Sequence, residues 1–419
     1  MNERALDIGD ACRAVLREVS ALPTELVALA DALGRVLAED VRSPLALPPW
    51  DNASMDGYAV QSGDVRGASA AEPRALRVIG TIAAGGTLQL RVGPGEAVRI
   101  MTGAAVPPGA DSVVRVEDTD GGVTTVRCTN DRDCQRNVRP RGEDLGKGEV
   151  AVARGTQVGP AHLGVLASVG GREVPVHRRA RVAVLASGDE LVDIDRFDEV
   201  LAGRRIVTSN SYSVIGAVCE AGAEPIPLGV VGDDPQALRE RLQGVDCDLL
   251  ITTGGVSVGA FDYTRPVLAE LGLDPRFWRV RIRPGAPVGF GLLGGIPWLG
   301  LPGNPVSTLV TFELLARPAI RRMQGHALPY RRPRRVRLAE DMSIAAPLVH
   351  FLRATLVVED GALVARLTGP QGSGLLTSMA RADALLIVPP ERTRLTAGET
   401  LDALVLRDDS AYAGEPPVQ

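Results

Sequence analysis

Lysine is almost absent: of 46 basic residues only Lys147 is one, so arginine holds nearly every cationic position. An arginine where a lysine would serve equally therefore reflects composition as much as chemistry. Histidine is scarce too, and His162, His177, His326 and His350 fall at no metal-ligand spacing. Five cysteines, Cys12, Cys128, Cys134, Cys219 and Cys247, are odd in number and form no C-x-x-C pair, so neither a disulfide framework nor a cysteine zinc site is indicated. No apolar run reaches the roughly 18 residues a membrane helix needs, and "MNERALDIGDACRAVL" carries acids where a signal peptide has an apolar core. A formal charge of −5 gives no global attraction to nucleic acid. A cytoplasmic protein that partners neither membrane nor nucleic acid is the expectation, and any anion it binds must be gripped locally.

What is present is a modular chain. Its 419 residues exceed the roughly 250–300 that one core supports. From Ile8 the apolar positions Ile8, Ala11, Cys12, Val15, Leu16 and Val19 mark one helical face, ended by Pro23, and "LADALGRVLAEDV" predicts a second helix. After "LPPWDN" the texture changes to short β runs, "LRVIGTI", "AVRIMTG", "SVVRVED" and "VTTVRC", which predict a β-rich module over 44–140 inserted between 1–43 and 141–176. A helix closed by Gly170-Gly171 precedes Arg181. From there apolar strands alternate with amphipathic helices, which predicts a doubly wound, mainly parallel sheet over 177–327. Residues 328–419 return to short strands and predict a β barrel or sandwich.

In open α/β sheets ligands bind beyond the carboxyl ends of the strands. "LASGDEL" places Ser187, Gly188 and Glu190 there. "VVGDDPQAL" places Asp233 and Asp234, which also suit a helix cap before Pro235. "ITTGGVSVGAFDYT" places Thr253, Gly254, Gly255 and Ser257, hydroxyls and close-approach amides that can cradle phosphate, followed by Asp262. Glu190, Asp233 and Asp262 together could hold a hard divalent cation. "RVRIRPGAP" read as one strand puts Arg279, Arg281 and Arg283 on one face.

"PPWDNASMDGYAV", "RIMTGAAVPPGAD", "RPRGEDL", "ASGDEL", "TTGGVSVGAFDYT", "RPGAP" and "GLPGNPVS" stand in the order and approximate spacing of one family. The chain resembles the MoeA-type molybdopterin molybdenumtransferases, relatives of the gephyrin E domain, from about Leu6 to the C-terminal module. The resemblance implies a multidomain α/β protein: a doubly wound, MogA-like molybdopterin-binding α/β domain, an inserted β-rich domain, an elongated helical dimerisation domain and a C-terminal β-barrel. It implies a homodimer that cleaves adenylylated molybdopterin, releases AMP and inserts molybdate at the dithiolene, assisted by Mg2+ or Zn2+. A molybdopterin adenylyltransferase would act upstream, and molybdoenzymes or cofactor chaperones downstream. Adenylyltransfer by the chain itself and a non-catalytic molybdopterin-binding scaffold are the competing readings.

Carried over by motif, Asp56 and Thr102 would face the partner's α/β domain. Glu190, Asp233 and Asp262 would serve the nucleotide and metal, with Ser187, Gly188, Thr253, Gly254, Gly255 and Ser257 around them. Pro302 and Pro305 would shape the loop beneath the pterin. Arg283, with Arg279, Arg353 and Ser373, would supply the oxyanion side. The family often has Lys-Pro-Gly-Lys-Pro where this chain has "RPGAP", so Arg283 replaces one lysine and Ala286 removes the second cation, as in gephyrin-like members.

Overall fold

The computed structural model describes residues 5–86, 90–255, 264–344 and 347–407. At its centre is a six-stranded sheet whose order is Glu224–Val231, Arg181–Ser187, Leu249–Thr253, Ile296–Leu301, Gly289–Leu293 and Leu273–Phe277. The first four strands are parallel, Gly289–Leu293 runs antiparallel to them, and Leu273–Phe277, antiparallel to that strand, returns to their direction. Arg181–Ser187 is buried from Val182 to Ser187, as a parallel strand covered on both faces must be. The Gly289–Leu293 strand is an element that the alternation of strands and helices does not announce. It is the first arm of a hairpin turning at Gly294-Gly295, both at positive φ.

The last helix of this domain runs from Pro305 to Met323 through a π turn at Phe312–Ala316. The cause is Pro318, which has no N–H to give to the carbonyl of Leu314. That oxygen instead accepts a bond of 3.4 Å from Cys12 Sγ, on the helix Ile8–Arg17. Burial pushes the Cys12 thiol up to about 11, so it stays protonated and can donate. The Ile8–Arg17 helix, grouped by sequence with the linker body, packs here instead. Its stripe Ala11 and Val15, with Val19 just beyond its end, joins the core formed by Val182, Val184, Leu315 and Ile320.

The predicted second helix over "LADALGRVLAEDV" does not form. The strand Thr24–Ala28 pairs antiparallel with Glu173–His177, a 3-10 turn follows at Leu29–Ala32, and Val41–Arg42 pairs with Val150–Val152. Gly34 at φ +77° ends the turn, and β pairing satisfies the remaining backbone. The linker body is thus largely β, with one helix at Pro160–Ser168. That helix is closed by Gly170 N–H to Ala167 O and Gly171 N–H to Leu166 O.

The inserted module is a five-stranded sheet, Ser112–Arg115, Gly57–Val60, Glu96–Ile100, Arg74–Ile82 and Thr125–Cys128 in order. Its stem is Asn52–Ala53 paired with Val138–Arg139. The C-terminal module is a closed barrel: Val349–Glu359, Ala362–Leu367, Arg334–Leu338, Thr400–Val405 and Ala384–Val388, which returns to the first strand. A two-residue strand from the α/β domain, Ile282–Arg283, adds in parallel to the start of Val349–Glu359 and joins the two bodies. Among the described residues no helix is long and apolar enough to cross a membrane.

Candidate functional site

The four parallel strands end at Ser187, Val231, Thr253 and Leu301. Beyond them opens a cavity of about 1200 Å³ between the α/β domain and the barrel. Its walls hold Ser187, Gly188 and Glu190 after one strand, Asp233 after the next, Gly254 and Gly255 after the third, and Pro302 to Pro305 after the fourth. The barrel contributes Gln371 to Gly374, and Arg283 with Ala286 lines the joint.

Each wall segment has a local cause. Gly254 and Gly255 lie at φ +85° and +64°, and a Cβ would come within 2.6 Å of Ser187 O at the first and 1.8 Å of Thr264 Oγ1 at the second. Only glycine lets the chain turn this close to the neighbouring strand end. Asp234 is the helix cap, accepting from Gln236 N at 2.9 Å before Pro235. Asp233 is thereby left to the cavity, and Asp189 Oδ1, accepting from Asp233 N at 3.0 Å, ties the two strand-end loops together. Pro305 starts its helix, and buried Thr308 Oγ donates to Pro302 O at 2.6 Å, which fixes the "LPGNPVS" loop.

The cavity offers one guanidinium, Arg283, and two carboxylates, Glu190 and Asp233, among its described lining residues. Two buried acceptors, Ser187 Oγ and Asn210 Oδ1, have no hydrogen-bond partner among the described residues. Asn210 Nδ2 donates to Gly303 O at 2.7 Å, so its amide already bridges the start of the Ser209–Glu220 helix to the proline loop. Buried polar atoms without a partner beside a cavity mark a place where its wall is incompletely satisfied.

Five expected site residues lie off this cavity. Thr253 is buried within its strand. Arg279 is exposed, because the arginine run is no continuous strand: Leu273–Phe277 ends before it and Ile282–Arg283 begins after it. Asp56 and Thr102 sit on the inserted module, outside the cavity of their own chain. Arg353, expected on the oxyanion side, is fully buried with a different task. Its guanidinium donates to Ser378 Oγ, Gln371 O, Pro370 O and Gly372 O at 2.9 to 3.3 Å, and burial pushes its pKa down. It holds the barrel loop that presents Ser373 to the cavity. Ser257 and Asp262 lie outside the described residues. Sequence reasoning missed Thr208, Ser209, Asn210, Asn304, Ser307 and Gln371 on the walls; the signal available was polar residues clustered at two helix starts.

Asp56 is exposed, and its carboxylate is held by one neighbour. Thr102 N–H and Thr102 Oγ both donate to Asp56 Oδ1 at 2.7 Å. The backbone bond first and the hydroxyl second hold this carboxyl below its ordinary value. The Asp-Gly pair is not a left-handed turn here. Gly57 enters a central strand, and a Cβ there would lie 2.0 Å from Val114 O.

Three family models tile this architecture: the MoeA N-terminal region (domain I and II) over 6–170, a probable molybdopterin binding domain over 183–322, and the MoeA C-terminal region (domain IV) over 335–406. The class is therefore that of multidomain proteins built around a molybdopterin-binding sheet. Molybdopterin molybdenumtransferase 2 of Mycobacterium tuberculosis is 39% identical over 383 residues, covering 90% of this chain and 93% of that protein. The molybdopterin molybdenumtransferase of Bacillus subtilis is 35% identical over 413 residues, covering 97% and 95%. A crystal structure of a molybdopterin biosynthesis MoeA protein from Pyrococcus horikosii superposes with a TM-score of 0.81 at 31% identity, covering 96% of this chain and 99% of that one. The chain belongs to the MoeA family of molybdopterin molybdenumtransferases.

Proposed function

We propose that this protein is a molybdenum insertase of molybdenum cofactor biosynthesis: it takes adenylylated molybdopterin and molybdate, cleaves the phosphoanhydride, releases AMP and leaves molybdenum on the dithiolene. The observation that carries this reading is the cavity itself, at the carboxyl ends of four parallel strands, where the glycine turn Gly254-Gly255, the carboxylates Glu190 and Asp233 and the guanidinium of Arg283 line one space. Arg283 presents a planar fork to an oxyanion at the joint with the barrel, and Ser307 and Ser373 add hydroxyls on the same wall. Arg353 acts through the loop it holds and positions Ser373.

One guanidinium against two carboxylates leaves a diphosphate ligand short of positive charge. Mg2+ fits this donor set, since it is bound by one or two carboxylates together with phosphate oxygens, and Glu190 and Asp233 would hold it. Zn2+ fits less well, because no histidine or cysteine stands among the described lining residues. Bound there, the cation would neutralise charge developing on the departing phosphate. We further propose a cytoplasmic homodimer in which Asp56 and Thr102 of one subunit complete the cavity of the other. In support, this ionised carboxylate is exposed, lies outside its own cavity and is held, among the described residues, by Thr102. A molybdopterin adenylyltransferase would supply the substrate, and molybdoenzymes or cofactor chaperones would take the product.

The test is AMP release from adenylylated molybdopterin with Mg2+, with and without molybdate. Molybdate-dependent AMP release is expected, abolished in Arg283→Ala. ATP consumption with free molybdopterin, and no AMP release, would replace this reading with adenylyltransfer.

A further inference from the structure

A second cavity, of about 200 Å³, lies on the seam between the linker body and the α/β domain, away from the strand ends. The linker body contributes Arg35, Gln157 and His177, and Arg179 just after its last strand; the α/β domain contributes Glu220, Arg321 and His326. The ion pairs around it do not balance. Arg35 is paired with Glu25, and Arg317 and Arg331 share Glu220 and Glu313. Those three arginines use all three carboxylates, and Glu220, the acid on the cavity wall, is neutralised by two of them.

Arg179 and Arg321 remain. Neither has an ion pair among the described residues. Among the described residues Arg321 Nη2 meets His326 Nδ1 at 3.1 Å and Leu328 O at 3.5 Å. A guanidinium has no lone pair to offer, so the bond at 3.1 Å makes His326 Nδ1 the acceptor and His326 neutral. Burial, then the Arg321 charge, pushes His326 down to about 4, which agrees with that state. Arg321 is itself pushed down, by burial first and then by the like charges of Arg317 and Arg331. The seam therefore concentrates positive charge, with no described carboxylate paired to Arg179 or Arg321.

We propose that this seam cavity binds a small tetrahedral oxyanion, held between the guanidinium groups of Arg179 and Arg321. Planar forks of this kind match two oxygens of such an anion at once. A cavity of about 200 Å³ is smaller than the roughly 300–1,000 Å³ of pockets that hold drug-sized ligands, which favours a free oxyanion over a nucleotide. Because the two arginines belong to different bodies, the anion ties the linker body to the end of the Arg317–Met323 helix.

The experiment is calorimetric titration of the full chain carrying Arg283→Ala, which removes the cation of the main cavity, with inorganic phosphate and with molybdate separately. One saturable site per chain is expected for at least one of the two, and the tighter anion identifies the occupant. Adding Arg179→Gln or Arg321→Gln should weaken it at least about tenfold, the scale of a lost charged hydrogen bond. Arg179 is exposed, so its variant should keep the fold, and an unchanged circular dichroism spectrum confirms it. No saturable binding of either anion, binding that survives both glutamine variants, or equal binding of AMP would each overturn the proposal.

Discussion

Single carboxylates in this protein are set by the donors around them, and two make measurable predictions. Asp56 accepts the Thr102 N–H and hydroxyl, so its carboxyl titrates below the ordinary 3.8. Carboxyl carbon shifts followed by NMR should place the Asp56 midpoint under 3.8, and Thr102→Val should move it upward; an unchanged midpoint would discard the hydroxyl's share. Asp133 is buried, which opposes its charge, but the Arg115 side-chain and backbone bonds override burial and hold it at about 2. A depressed carboxyl stabilises the fold above its unfolded value and loses that contribution as pH falls through the folded one. The thermal-stability gap between wild type and Asp133→Asn should thus be full at pH 5 and shrink between about 4 and 2. A gap constant across that range would contradict the ion pair as its source.

At the scale of elements, the Leu314 carbonyl that Pro318 leaves without a backbone donor is met by a thiol 302 positions away in the chain. Cys12→Ala leaves the Leu314 carbonyl without its donor and should cost about 1–3 kcal/mol, the price of an unsatisfied buried acceptor. In a Pro318→Ala background the backbone regains an N–H, so the same substitution should cost clearly less. A double-mutant cycle by urea unfolding measures the difference, and strict additivity would show that the Cys12 bond does not substitute for the missing one. The strand and helix alternation from Arg181 onward was legible because buried parallel strands and amphipathic helices carry different periods. The false helix over Leu29 to Val41 shows where that fails: its apolar spacing suits a helix, but bridges from Val36 to Gln157, from Leu37 to Val176 and from Val41 to Val152, all across the inserted module, decide otherwise. The arginine run failed for a related reason. Its period-2 spacing is real, yet Trp278 to Arg281 leaves the strand, so Arg283 alone reaches the cavity. Arg353 was legible as important but not as buried, because nothing local reveals that three loop carbonyls and the Ser378 hydroxyl surround it.

At the scale of the molecule, the proposed composite site predicts complementation between two defects. Asp56→Ala and Arg283→Ala homodimers should each be inactive. Random mixed assembly should recover roughly a quarter of wild-type activity, because half the dimers are mixed and each of those keeps one intact site. Recovery near zero would mean that both residues serve the same subunit's cavity. The motifs spread from residue 48 to 307 were readable as a set in the sequence, whereas the barrel's loop at 371–374 became part of the site only through the third dimension.

The short strand Ile282–Arg283 sets a gauge for the whole cleft. Its pairing with Val349 and His350 is only two residues long, yet it decides which way Arg283 faces. A slip of one residue would turn the guanidinium to the opposite side of the sheet. The spacing between the cation and the strand-end carboxylates is therefore written in hydrogen-bond register rather than in side-chain length, and lengthening or shortening the Pro284–Pro287 loop should detune the cleft without altering a single one of its functional groups.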